Sequence, residues 1–201
     1  MTPCDAKLPD TLRYGLAILS ILLCLSGCRT SLPVGETYEP CVLVTKEEAS
    51  AAMNEPVRDA VAHDFYANVA RDKNEIGSLV EKGVSWVKRC VYNGLQENTT
   101  GDFMEIAVYQ FENQKQAMSF YEDQTKGPAV RKDLGENLPA LKGLCDRSAQ
   151  FGGPLSSSSG DYVLKGDLVL YIGVVPGLPS HSEALWGAAE HVLKQAVVRL
   201  K

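Results

Sequence analysis

Residues 162–175 read YVLKGDLVLYIGVV. Two short apolar runs flank Lys165-Gly166-Asp167, and neither is long enough for an amphipathic helix. A glycine between polar residues supplies the backbone freedom of a tight turn. The stretch therefore reads as two antiparallel strands of a hairpin. Upstream, Val84 to Tyr92 has the same β-forming character and ends near Asn93-Gly94. Residues 95–102, LQENTTGD, read as a hairpin loop, and Phe103 to Phe111 as the returning strand, with Ile106 and Val108 on one face.

Helix signals surround these hairpins. Thr45-Lys46-Glu47-Glu48 fits a capping box, which predicts a helix running to about Met53 and stopping before Pro56. Asn113-x-x-Gln116 opens another, with Ala117, Phe120 and Tyr121 as its buried face, and Gly127-Pro128 ends it. Ser180-x-x-Glu183 opens the last helix, in which Leu185, Ala188, Ala189, Val192, Leu193, Ala196, Val197 and Leu200 form one apolar stripe. In residues 57–83, Val57, Val61, Phe65 and Val69 recur at i+4 spacing. That spacing argues for a helix, with an irregular or strand-forming chain as the alternative. Residues 138–151 read as a strand, and the GGPLSSSSGD that follows as a turn-forming stretch. The order predicts an α+β fold: an antiparallel sheet of about five strands, helices packed on one face, and a C-terminal helix.

The first residues carry Lys7 and Arg13, followed by an uncharged apolar run from Tyr14 to Leu25. Crossing a bilayer takes about 20 apolar residues, so this run reads instead as a secretory signal. Leu25-Ser26-Gly27-Cys28 resembles the lipobox of bacterial lipoproteins, where the signal is cut before a cysteine that is then acylated. The expected organisation is a signal over 1–27, a lipidated amino terminus and tether over 28–40, and a single α+β domain over 41–201. Residues 29–40, RTSLPVGETYEP, suit a tether in their proline, glycine and polar content. One acyl chain holds a protein to a membrane only marginally, whereas the diacyl or triacyl cysteine implied here holds it stably. Arg29 after Cys28, by resemblance to Gram-negative lipoprotein sorting, points to an outer membrane facing the periplasm if the host has one.

Removing 27 of the 201 residues leaves 174, enough for one domain with a real core. Lys7 and Arg13 balance Asp5 and Asp10, so the formal charge of −5 is retained. A mildly acidic chain without a basic block is a poor partner for nucleic acid. Its expected partners are the membrane, through the anchor, and an apolar ligand or an envelope protein. With Cys28 acylated, Cys41, Cys90 and Cys145 remain, and an odd count leaves one thiol unpaired. Cys41–Cys90 is the favoured pairing, with the other pairings open. Closing a loop of about 50 residues would stabilise the fold by about 4 kcal/mol on chain entropy.

A wider resemblance covers most of residues 41–200. Cys41-Val-Leu-Val-Thr45, then Glu48-Ala49 and Asn54-Glu-Pro-Val57, resembles the C-x-L-L-T-x-x-E opening and L-G-x-P-V turn of a family of actinobacterial envelope lipoproteins of unknown function. Cys90-Val-Tyr92 is similar to that family's C-x-Y on its first strand. Gly143-Leu-Cys-Asp146 is similar to its G-L-G-D, and Val163-Leu-Lys-Gly-Asp167 to its hairpin. The chain departs from the pattern in Cys145, which replaces a glycine, and in a longer Arg58–Val84 segment. The resemblance supports the α+β fold and the Cys41–Cys90 bridge, and implies no catalytic residues.

Chemistry-bearing residues are sparse. His63, His181 and His191 lack ligand partners at metal-binding spacing, so neither a metal nor a cofactor is expected. His63-Asp64 is an adjacent pair, but neighbours in sequence diverge on a helix, which argues against a catalytic dyad. Ser156 to Ser159 lack the G-x-S-x-G elbow of a serine nucleophile. Cys145, beside Asp146 and Arg147, reads as a small buried group if Leu141, Gly143 and Cys145 share a strand face. The function expected is that of a non-enzymatic binding or accessory lipoprotein, with Trp86, Tyr92, Tyr109 and Tyr171 as candidates for a ligand face and core packing the alternative, expected for two of them. The alternatives are an inhibitor of a secreted enzyme, or a small hydrolase or thiol oxidoreductase.

Overall fold

In a computed structural model the chain divides into two units, Met1–Glu36 and Thr37–Lys201. The structure describes residues 38–94, 102–126, 138–151, 159–177 and 182–200, so Cys28, the tether up to residue 37 and the Ser180 cap lie outside the described residues. Two helices open the second unit, α1 at Pro40–Leu43 and α2 at Lys46–Met53. The capping box is present: the Glu48 amide donates to Thr45 Oγ1 and the Thr45 amide to Glu48 Oε2. Asn54 ends α2 in the left-handed region at φ 52°, where a short polar side chain is tolerated.

The next segment corrects the helix expected over 57–83. Val57–Tyr66 is a ten-residue strand, β1, followed by short helices α3 at Ala70–Ile76 and α4 at Ser78–Glu81. An i+4 repeat is also two strand periods, so Val57, Val61 and Phe65 fit either structure. What decides is the partner: β1 pairs along its length with β2, Val84–Gly94, leaving most of its own side chains exposed.

β2 pairs antiparallel with β3, Phe103–Phe111, as expected. Helix α5, Gln114–Thr125, is capped by the Asn113 side chain, which accepts from the Gln116 amide. Strands β5, Ser159–Lys165, and β6, Leu168–Val175, meet at Gly166, whose φ of +63° the turn requires. The strand expected over 138–151 is shorter than predicted. Pro139–Leu141 form a turn of 3-10 helix, Gly143 takes φ +77°, and β4 begins only at Arg147 and ends at Phe151. The last helix, α6, runs over Ser182–Arg199.

The sheet is fully antiparallel with six strands in the order β1-β2-β3-β6-β5-β4, one more than expected because β1 joins it. The α+β class and the C-terminal helix stand as predicted. Helices, however, cover both faces. On the first face α2 and α6 bury Trp86, Cys90, Tyr92, Ile106, Leu170 and Ile172, and the whole described stripe from Leu185 to Leu200, apart from the half-buried Ala188, is buried there. On the second, Ala117, Phe120 and Tyr121 of α5 pack on Val87, Phe111, Leu164 and Val169. Leu164 pairs with Val169 and Val163 with Leu170, so alternation sends the two sets to opposite sides.

Specific bonds fasten the layers. Cys41 and Cys90 form a disulfide with Cα atoms 5.2 Å apart, tying α1 to the centre of β2. Arg199 at the end of α6 donates to both carboxylate oxygens of Glu48, at 2.6 and 2.8 Å, and to the Leu43 carbonyl at 2.6 Å. Lys165 Nζ caps the same helix end by donating to the Val197 and Leu200 carbonyls. Among the described residues no helix is long and apolar enough to cross a membrane.

Candidate functional site

The four aromatics expected on a ligand face separate. Trp86 and Tyr92 are 2% and 0% exposed beneath α1, α2 and α6, and the Tyr92 hydroxyl donates to the Val44 carbonyl. They are core, which corrects that part of the expectation. Tyr109 and Tyr171 lie on the second face, half-buried. α5 covers only the end of that face near the β5–β6 turn, so the register leaves a row His63–Arg89–Ala107–Tyr171–Tyr162 beyond it. The next row runs Val61–Val91–Glu105–Gly173–Gly160–Phe151.

Two features occupy this open part. The first is an aromatic cluster in which the Tyr171 ring stacks on Phe151, with centroids 6.1 Å apart, and tilts against Tyr162 at 5.0 Å. The cluster lies flat because the row beneath it holds two glycines. A Cβ on Gly173 would sit 2.1 Å from the Tyr171 hydroxyl oxygen, and one on Gly160 would sit 2.8 Å from the Phe151 ring. The Tyr162 hydroxyl donates to Gln124 Oε1 at 3.2 Å. Burial pushes this phenol up to about 12, so it is a neutral donor at any physiological pH.

The second feature is a half-open groove of about 310 Å³ lined by Phe65, Glu75, Ile76, Leu79, Val87, Arg89 and Tyr109. The Arg89 guanidinium stands 5.0 Å from the Phe65 ring centroid, and its Nη1 is 3.5 Å from Glu105 Oε1. Arg89 Nε is buried with no hydrogen-bond partner. An unsatisfied buried donor costs about 1–3 kcal/mol, which an acceptor brought by a ligand would recover. The Tyr109 phenol on the floor is held neutral, mainly by burial. Arg89, Glu105, Phe65, Tyr162 and Phe151 were not singled out from sequence. The available signal was Lys88-Arg89 inside β2 and Glu105 inside β3, charges within two largely apolar strands.

The remaining candidates fall elsewhere. His63 is exposed on β1, its ring 6.4 Å from that of Phe65. His191 Nε2 meets Gln195 Nε2 at 3.1 Å on the exposed side of α6, and His181 lies outside the described residues, as do Ser156 to Ser158. Cys145 is the free thiol among the described residues; it sits half-buried in the irregular segment before β4 rather than on a strand. Its Sγ is 3.7 Å from the Leu141 carbonyl, and burial pushes its pKa up, against the direction a reactive thiolate needs. Among the described residues no three His, Cys, Asp or Glu side chains gather as metal ligands do.

No protein-family model matches the chain, and no curated protein matches it. Among solved structures it is similar to the extracellular domain of PknH from Mycobacterium tuberculosis, at 8% identity and a TM-score of 0.41, over 76% of this chain and 94% of that one. A likeness this weak carries no statement about function.

Proposed function

We propose that the chain is a lipid-anchored, envelope-exposed binding protein without catalytic activity. It takes an apolar or aromatic ligand on the open part of the second sheet face. The observation that carries the reading is the groove itself: apolar walls from Phe65, Ile76 and Leu79 around a floor that holds the unpartnered Arg89 Nε. Mostly apolar linings with a few convergent polar groups are the usual make-up of small-ligand sites. A ligand with an apolar body and one acceptor satisfies both parts of the groove, and the adjoining Phe151–Tyr162–Tyr171 cluster extends the apolar surface beyond it. The anchor rests on the Leu25-Ser26-Gly27-Cys28 motif.

The two halves of the reading separate experimentally. For the anchor, the full chain is expressed in a lipoprotein-processing bacterium and fractionated. Wild type is expected with membranes and Cys28→Ser in the soluble fraction; wild type in the soluble fraction overturns it. For the site, small molecules extracted by organic solvent from purified wild type are compared with those from Leu79→Trp, which fills the groove from a half-buried position. A compound present in the first and lost from the second is expected. Identical extracts overturn the groove as the site.

A further inference from the structure

β1 is an edge strand of ten residues, twice the length of β4 with five at the opposite edge. Long open edges invite another strand, and proteins usually shorten or block them. Here the blocking is confined to the ends. The Ala67 amide donates to the Ser85 carbonyl, continuing the β1–β2 register, so from Asp59 to Tyr66 odd-numbered residues bond to β2 and even-numbered ones present N–H and C=O outward, while the register shifts between Val57 and Asp59. At one end Lys46 Nζ donates to the Arg58 carbonyl at 3.1 Å. At the other, the Tyr66 amide donates to Asp72 Oδ2 at 3.0 Å, and the Tyr66 carbonyl accepts from Val69. Ala60, Ala62 and Asp64 between them are exposed, and their outward main-chain groups are uncapped among the described residues.

The side chains of this window have an order of their own. Residues 57–65 read VRDAVAHDF. Laid antiparallel against itself with Val61 at the centre, the strand sets Arg58 opposite Asp64, Asp59 opposite His63 and Ala60 opposite Ala62. The two-fold axis then repeats each pair. Only registers centred on a residue align outward-facing groups with each other. Moving the centre to Ala62 sets Asp59 against Phe65 and Asp64 against Ala60; moving it to Ala60 sets Arg58 against Ala62. Both shifts lose every opposite-charge pair. Charges on an edge strand normally repel a second sheet. Here Arg58 and Asp64, within 3.5 Å of Asp59 and 4.0 Å of Lys88 in their own chain, are placed so that a second copy adds an opposite-charge pair on each side of the axis.

We propose that β1 is a homodimerisation edge. Two copies pair antiparallel about Val61 and join their sheets into one of twelve strands, twice the six of each. Val61 is 39% exposed and would meet its symmetry mate in a non-hydrogen-bonded pair. The Cα atoms of such pairs lie about 4.5 Å apart, within disulfide range. This edge adjoins the ligand groove, since Phe65 of β1 is one wall of it, but pairing about Val61 uses the main-chain groups of Ala60, Ala62 and Asp64, none of which lines the groove.

The test is cysteine cross-linking of the full chain in membranes, with Cys145→Ser removing the free thiol and that chain alone giving the background. Val61→Cys is expected to give a disulfide-linked dimer well above background, and Ala62→Cys, whose symmetry mate lies beyond bridging distance, about background. In the Val61→Cys chain, Arg58→Asp and Asp64→Arg should each lower the yield about tenfold, because the axis counts each reversal twice. The double reversal should restore it. No cross-link at Val61→Cys overturns the proposal. So do equal yields at both positions, which would mean random collision, and a double reversal no better than the single ones.

Discussion

Asp161 is where the fold is most sensitive to pH. It lies on β5, 1% exposed, on the face covered by α6. Its Oδ1 has no hydrogen-bond partner, and Gln150 of β4 bonds to the carboxyl side chain. Burial, and then the negative charge of Glu190 on α6, raise its pKa from the ordinary 3.8 to about 7, with the Gln150 bond opposing. A carboxyl whose folded pKa is raised gives stability that is complete below pH 3.8 and is lost as pH rises through 7. At 1.36 kcal/mol per pH unit, the displacement amounts to about 4 kcal/mol. Asp161→Asn keeps the shape and removes the charge. It should raise stability by about 2–4 kcal/mol at pH 8, the lower figure allowing for the amide's own unmet donors, and near pH 3.5 leave it between unchanged and about 2 kcal/mol lower for the same reason. The assay is urea unfolding of both chains from pH 3.5 to 8, reading the difference between them so that other carboxylates cancel. A difference that stays flat across that range would refute the reasoning.

Three further outcomes follow from the packing. Two guanidinium bonds and the Thr45 bonds hold the Glu48 carboxyl down at about 2, so its contribution is complete above pH 4.5 and lost as pH falls toward 2. A double-mutant cycle of Glu48→Gln and Arg199→Ala should give a coupling of about 1–2 kcal/mol at pH 7, the bidentate geometry offsetting surface screening, and about zero at pH 2. Reducing the Cys41–Cys90 bridge, which closes a separation of 49 residues, should lower stability by about 4 kcal/mol in urea titrations with and without reductant. Gly160→Ala would bring a Cβ within 2.3 Å of the Ile172 backbone carbonyl, which cannot swing aside. The cost should be about 1–3 kcal/mol, read from the thermal midpoint.

Much of this fold is legible in the chain because its signals are local. The Thr45–Glu48 box, the Asn113 cap and the Lys165-Gly166-Asp167 turn each satisfy backbone groups within a few residues, and each forms as read. The α6 stripe has enough period to name its buried face, and Leu185, Val192, Leu193, Ala196 and Val197 are 2% exposed or less. β1 fails for the opposite reason. Its spacing fits two periods, its side chains are largely exposed, and its identity as a strand depends on β2, whose paired residues lie 20 or more positions away in sequence. Pro139 and Gly143 likewise delay β4, through backbone conformations that apolar patterning does not register.

The site was harder to see because its location depends on which face of the sheet stays open, and connectivity decides that. The strand β2 did carry a clue. Trp86, Cys90 and Tyr92 face one side and Val84, Val87 and Val91 the other, and a strand apolar on both sides needs cover on both. Helices on one face only could not have provided it. Within that strand Lys88 and Arg89 point to opposite faces, and their surroundings differ. Lys88 is 2% exposed and paired with Glu39 and Asp64. Arg89 shares one carboxylate at 3.5 Å and keeps a buried nitrogen unbonded. A strand that pairs one of its two central cations and leaves the other short of an acceptor is the reason the proposed site is put on the second face.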